Sequence, residues 1–366
     1  MKLFFRGAGL TLLVVAVATA TNAVHAQGFS YSLTDLGTYD NVAIGISASG
    51  GIVGTDATVA TPQYNGPISW NGTSWDALPY DSGDQNGAAR QVSADGTIVG
   101  WSSVGIGATD YPTATKWVNG NLIDLGVTNN TTGFVGSATY SISQNGQYVS
   151  GAIVAGAGVF QGFIMDDAGN VTTTGNVGTN TQARNYDVNN LGHAAGQSRR
   201  PGLINDRATY YSDPTGLVNL GVLAGDSYSR ANALNDADRV VGWSWRSFEA
   251  GESQAFIWTE LDGMQQLMDG FSQANDINNN DWIVGRFGTD EADARAFLYT
   301  DATGTMTLNN LLDSTGTGWD LLQATAIDES GRIIGWGRDG SGNFHSFLLT
   351  PNSVPEPAVC LVWRWL

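Results

Sequence analysis

Residues 46–54 read ISASGGIVG, and the same nine-residue shape returns as VSADGTIVG at 92–100 and IDESGRIIG at 327–335. Aligning the chain on this shape gives seven copies. Their turns are Ser47–Gly50, Ser93–Gly96, Ser143–Gly146, Asn189–Gly192, Asn235–Asp238, Asn278–Asp281 and Asp328–Gly331. Each turn opens on Ser, Asn or Asp, whose side chain accepts a hydrogen bond from the backbone two residues on. Each closes on Gly or Asp, which tolerate φ > 0. This is the chemistry of a type I turn followed by a G1 bulge, a common hairpin connection.

The surroundings repeat as well. A small or polar residue stands three before an aliphatic (Ala43/Ile46, Ala89/Val92, Thr139/Ile142, Asn185/Val188, Ala231/Leu234, Ala274/Ile277, Ala324/Ile327), and the strand after each turn reaches Gly54, Gly100, Gly151, Gly196, Gly242, Gly285 or Gly335. The mean step of about 47 residues is the period of a four-stranded propeller blade. A third strand follows a variable loop: PISW (67–70), ATKW, GFIM, ATYY, AFIW, AFLY and SFLL (346–349). A fourth follows a short turn, at Trp75–Leu78, Leu122–Leu125, Val171–Thr174, Leu217–Leu220, Met264–Leu267 and Met306–Leu311.

Unit seven lacks a fourth strand, and Leu33-Thr34-Asp35-Leu36-Gly37 near the other end matches Leu122-Ile123-Asp124-Leu125-Gly126. One strand short at one end and one spare at the other predict a ring. The expected fold is all-β: a seven-bladed β-propeller of four antiparallel strands per blade, sealed by the N-terminal strand. An open solenoid would leave an exposed edge, and a pair of β-sandwiches would not explain the period.

The chain begins with basic Lys2 and Arg6, an apolar stretch from Leu10 to Ala18, and an A-x-A-like Val24-His25-Ala26. This reads as a secretory signal peptide over 1–26, followed by the propeller over 27–350 and a tail over 351–366. Hydrophobic residues make up 42% of the sequence, enough for a core, and 48 of 366 residues are glycine, which fits many short strands joined by tight turns. The formal net charge of −18 argues against nucleic acid and anionic lipid as partners. The lone Cys360 excludes a disulfide framework.

The pattern A-x-x-[IVL]-[NSD]-x-x-G-x-[IV]-[IV]-G, then AF-[IL]-W, then LxxLG resembles the HAF-repeat family of bacterial extracellular proteins across residues 31–350. Unit three departs from it by an insertion at Tyr148-Val149-Ser150-Gly151, and unit four by Ala194-Ala195. The resemblance implies location and architecture and carries no catalytic residues. Val354-Pro355-Glu356-Pro357 resembles the PEP-CTERM sorting motif of Gram-negative bacteria, which implies processing by an exosortase. Only nine residues, AVCLVWRWL, follow it, against the ~20 needed to cross a bilayer. The motif is therefore truncated, or the end is simply a proline-stiffened tail.

Strand parity places the uniform turns on one face of the ring and the variable connections on the other. Variable loops are where binding residues concentrate. Three of them open with Trp101, Trp243 and Trp336, with Tyr111, Trp245, Phe248 and Phe287 nearby. Such rings suit sugar stacking, or they wedge between blades. Arg199, Arg200, Arg246 and Arg286 are rare cations that can grip an anionic polymer, or they are solvated loop residues. Asp339–Asn343 and Asp290–Asp293 offer calcium-type oxygens but match no calcium loop, so no cofactor is expected, with calcium the alternative. His193 and His345 fall on opposite faces, and no Ser-His-Asp, H-E-x-x-H or phosphate-loop grouping is present.

The expectation is a secreted, monomeric, non-enzymatic propeller that binds cell-surface or matrix polysaccharide through its variable-loop face. One alternative is a polysaccharide lyase or hydrolase using loop carboxylates such as Asp206, Glu249, Glu252 and Asp290. The other is a structural or protein-interaction module.

Overall fold

The computed structural model describes residues 29–38, 40–56, 66–80, 86–103, 112–127, 136–154, 159–199, 206–246 and 253–352. The expected signal peptide over 1–26, Tyr111, Arg200, Phe248, Glu249, Glu252 and the V-P-E-P motif lie outside them.

Among the described residues the strands form seven blades, each antiparallel and ordered in sequence from the centre outward. Blade 1 comprises Asn41–Ile46, Ile52–Asp56, Gly66–Trp70 and Trp75–Ala77. The inner strands of blades 2 to 7 are Asn86–Val92, Gly136–Ile142, Gln182–Val188, Tyr228–Leu234, Phe271–Ile277 and Asp320–Ile327. Blade 7 continues through Ile333–Arg338 and Phe344–Pro351, and Tyr31–Thr38 completes it by antiparallel pairing that sets Leu33 against Leu349 and Asp35 against Phe347. The ring is thus shut by the N-terminal strand, which supplies the fourth, outermost strand of blade 7.

The hydrophobic core lies between the blades. Ala233, Val241 and Ala255 of blade 5 meet Ile277, Ile283 and Phe297 of blade 6, so a face of small residues receives larger ones from the next sheet. Phe163, Phe256, Phe297 and Phe347, one each from four third strands, are completely buried. Each such ring stabilises the fold by roughly 1.5–3 kcal/mol. Indole N–H groups tie neighbours together: Trp75 donates to Leu36 O at 2.7 Å and Trp117 to Pro79 O at 2.8 Å.

All seven turns take the expected form. Their closing residues have positive φ, including Gly96 at 87°, Asp238 at 58° and Asp281 at 61°. Their opening side chains do more than brace their own loops. In blade 5, Asn235 Oδ1 accepts from the N–H groups of Ala237 and Arg239, while its Nδ2 donates onward to Asn278 O in blade 6. Asn189 and Asn278 reach the next blade in the same way. The second turn residues form a parallel chain, with Asn190 N–H to Asp236, Asp236 N–H to Asn279 and Asn279 N–H to Glu329, and the third residue of the blade 3 turn joins it, with Asn145 N–H to Asn190. Ala48 and Ala94 have no such acceptor, and Arg332 and Gln144 reach across to their backbones instead.

Two boundaries differ from the expectation. The outer strand of blade 6 ends at Thr307, and Leu308–Leu311 is a 3-10 turn. Leu308 and Leu311, three apart, both face the core there, while the Asn309 side chain binds Trp319 O and Leu321 N–H. The second strands also run on past their glycines, to Ser103, Trp245 and Arg338. Trp101, Trp243 and Trp336 therefore sit within strands and do not open loops.

Candidate functional site

Strict alternation would place residues three apart on opposite faces of a strand, yet Ala43 and Ile46 are both buried, at 1% and 2% exposure. The structure resolves this with a β-bulge. Besides an extra skip at Leu322 in blade 7, every inner strand skips a residue at the same place in its pairing with the second strand, at Ile44, Arg90, Tyr140, Tyr186, Asn232, Asn275 and Thr325. A bulge re-aims the side chain it carries, and these seven unpaired residues all line one central cavity of about 350 Å³.

The bulges also explain the glycines. A Cβ added at Gly54, Gly100, Gly151, Gly196, Gly242, Gly285 or Gly335 would collide with a carbonyl oxygen of the adjacent inner strand. Close backbone approach of this kind is tolerated only where no side chain intervenes.

Two residues before the bulges, towards the end from which the variable connections leave, the inner strands carry Arg184, Arg230, Gln273 and Gln323. The second strand sets Gln197, Trp243, Arg286 and Trp336 directly beside these four. Arg230 Cζ lies 3.9 Å from the Tyr186 ring centre and 5.1 Å from that of Trp243, and Tyr140 and Tyr186 lie 5.6 Å apart. Arg90 is set among these groups. Burial pushes its guanidinium below the ordinary value; Tyr140 opposes that shift and the Arg230 charge adds to it. On the remaining wall Asn232, Asn275 and Thr325 spend their donors on Ala274 O, Ala324 O and Ala43 O of the next blade.

The opposite mouth is acidic. Asp187, Asp236, Asp276 and Glu329 line a cavity of about 60 Å³ at the turns. Asp187 accepts from Ser141 Oγ and Leu234 N–H, and Asp276 from Ile277 and Ile327 N–H. Burial pushes both carboxyls up, Asp276 well up, and for Asp276 the neighbouring Asp187 charge adds to the effect. Their partners are the fold's own donors, and among the described residues no group of three or more His, Cys, Asp or Glu could hold a metal ion. The two calcium-type segments are turns: Asp339 caps Ser341 and Asn343 N–H, and Asp293 caps Thr289 and Asp290 N–H.

Of the residues singled out from sequence, Trp243 lines the central cavity. Trp101 and Trp336 occupy the equivalent second-strand position in blades 2 and 7, both half-buried, with Trp336 against Phe344 at 5.9 Å. Trp245 stacks on Tyr228 at 5.4 Å. Arg199 lies 3.8 Å from Asp206, Arg286 is paired with Glu291 at 3.0 Å, and exposed Arg246 donates to Gly225 O. These three arginines are not brought together with the tryptophans in one pocket. His193 is held by Asp238 and Tyr210, and His345 by Asp35.

A family model described as "Protein of unknown function (DUF3466)" matches residues 86–346, from the inner strand of blade 2 into the last strand of blade 7. The chain belongs to the DUF3466 family. No curated protein matches this DUF3466 sequence. Among solved structures it is similar to a streptogramin B lyase, at 11% identity and a TM-score of 0.53 over 88% of this chain and 98% of that one. It is also similar to the β-propeller domain of the Trilobed protease from Pyrococcus furiosus, at 8% identity and a TM-score of 0.52 over 90% and 99%. TolB from Acinetobacter baumannii aligns at 14% identity and a TM-score of 0.44 over 83% of this chain; the DUF3466 chain spans 64% of that protein. At these identities the likeness is one of fold.

Proposed function

We propose that this DUF3466 protein is a secreted, non-enzymatic propeller that binds cell-surface or matrix polysaccharide at the end of the ring from which its variable connections leave. The observation that carries the reading is the lining of the 350 Å³ cavity, where Trp243, Tyr140 and Tyr186 stand with the amides Asn232, Asn275 and Gln323. Aromatic faces cover the C–H surface of a sugar ring, and amides take its hydroxyls. The signal-peptide pattern over 1–26 and the resemblance to HAF-repeat and PEP-CTERM proteins support export, with exosortase processing at Val354–Pro357 part of the same reading. Retention of the purified protein on the producer's own exopolysaccharide tests it. Trp243→Ala is expected to lose retention while still folding; retention unchanged by that substitution would count against the site.

A lyase or hydrolase is the second reading, favoured by Asp206. This carboxyl is 4% exposed, stands just before the third strand of blade 4, and is pushed up by burial against the opposing charges of Arg199 and Arg207. A raised carboxyl suits a general acid. Release of oligosaccharides from the same polymer, abolished by Asp206→Asn, separates this reading from simple binding.

A further inference from the structure

The central cavity holds positive charge that the fold leaves unanswered. Arg90 and Arg230 come from the inner strands of blades 2 and 5, with blades 3 and 4 between them in sequence, and are brought together across the channel. None of the ion pairs among the described residues involves either of them, or Arg184. The Nε atoms of Arg90 and Arg230 and the Oδ1 of Asn232 are shielded from solvent and have no hydrogen-bond partner. Aromatic faces touch the Arg230 guanidinium, but the quadrupole of a ring answers only part of a full charge. This happens in a chain whose formal net charge is −18, with 34 acidic residues available to serve as partners.

Two guanidinium groups on one cavity wall, each with its Nε shielded from water and without a partner, are costly unless an anion answers them. A planar fork of five donors suits an oxyanion, which it binds through paired, charge-assisted hydrogen bonds. The acidic mouth at the opposite end of the channel, with Asp187 and Asp276, makes the molecule electrically polar along its axis. An anionic group is therefore favoured at the arginine end and disfavoured at the turn end.

We infer that the channel at the level of Arg90 and Arg230 is an oxyanion-binding site, flanked by Tyr140, Tyr186 and Trp243. Resting on the polysaccharide reading above, its natural occupant is the carboxylate of an acidic sugar residue, whose ring the aromatic side chains cover. A free inorganic oxyanion presents the same chemistry to the two arginines, and the experiment distinguishes the sources.

The test uses the full chain at neutral pH and low salt, with three probes measured by calorimetry: trigalacturonate, galactotriose and inorganic phosphate. Wild-type protein is expected to bind trigalacturonate at least about tenfold more tightly than galactotriose, and Arg90→Gln and Arg230→Gln to abolish that advantage. Each variant should melt no lower than the wild type without anion, because it removes one of two unanswered charges. A measurement without variants supports the same site: selenate soaked into wild-type crystals, located by anomalous scattering, should lie within hydrogen-bond reach of both arginines. Equal affinity for trigalacturonate and galactotriose in the wild type, with no response to phosphate, overturns the oxyanion site and leaves polysaccharide binding standing. Anion affinity unchanged in both variants also overturns it. Arginine-dependent binding of phosphate with neither saccharide bound supports the oxyanion site and sinks the polysaccharide reading.

Discussion

Gly242 lies against the carbonyl of Arg230: a Cβ built on Gly242 would overlap that oxygen, where the bulge at Asn232 brings the two backbones together. Gly242→Ala is therefore expected to destabilise the protein by at least about 3 kcal/mol or to block folding, since backbone has to move. Gly96→Ala is the control, because its site is open space and only its φ of 87° opposes a side chain. That change should cost about 1 kcal/mol. Urea denaturation of the two variants checks the order.

Asn235 divides its amide between two blades, and Asn235→Asp separates the roles. The acceptor for Ala237 and Arg239 survives, while the donor to Asn278 O and to Asp281 Oδ1, at 2.8 Å, is lost. A new carboxylate then faces that of Asp281. The expected loss at neutral pH is about 1–3 kcal/mol. It should shrink as pH falls into the carboxylate range, which thermal unfolding at several pH values would show.

Stability should rise on mild acidification, unusually for a protein. The folded-state carboxyls of Asp276, Asp187 and Glu329 are raised by burial. Folding therefore takes up protons there; the stabilisation is full below the ordinary carboxylate value and is lost as pH rises through the raised one. Asp95, Asp293 and Asp339 are lowered by hydrogen bonds and act in the opposite sense, so stability falls again below about pH 3.8, as these groups are protonated. Asp276→Asn removes the titrating group and should flatten the upper arm, although its single oxygen serves only one of the Ile277 and Ile327 N–H groups and its NH2 faces the other, so stability falls at every pH. A melting temperature equal at pH 5 and pH 8 in the wild type would contradict this account.

Trp243 and Trp245 are two residues apart on one strand and should behave differently. Trp243 lines the cavity beside Arg230, whereas Trp245 packs on Tyr228 with ring planes 12° apart. Trp243→Ala is expected to weaken polysaccharide binding about tenfold. Trp245→Ala should lower the melting temperature with binding unchanged, and affinity gels run beside melting curves would tell them apart.

The ring was legible because its signals are local. A turn needing φ > 0 at one position leaves Gly or Asp there seven times, and an unmatched Leu33–Leu36 has one place to pair. The channel was harder to read because a bulge breaks the period-two rule on which strand faces are assigned. Ala43 and Ile46, three apart, already carried that signal, and so did the pairs at Ala89/Val92 and Ala231/Leu234. Read as strands with bulges, these segments would have placed Arg90 and Asn232 on the axis. The glycines misled in the same way: Gly100 and Gly242 look like strand ends, yet they sit mid-strand where the neighbouring backbone needs room. Strand alternation therefore points to the loops, whereas Arg90, Tyr140 and Tyr186 supply the walls of the channel.

The seven bulges separate architecture from chemistry. The kink itself is made by the small or polar residue before it, the glycine across from it and the turn beyond, so the kinked position can be isoleucine, arginine or tyrosine as well as the asparagines and threonine (Asn232, Asn275 and Thr325) that tie their blades to the next. Specificity can accordingly be rewritten one spoke at a time, making the hub a programmable socket on a wheel that need not be rebuilt.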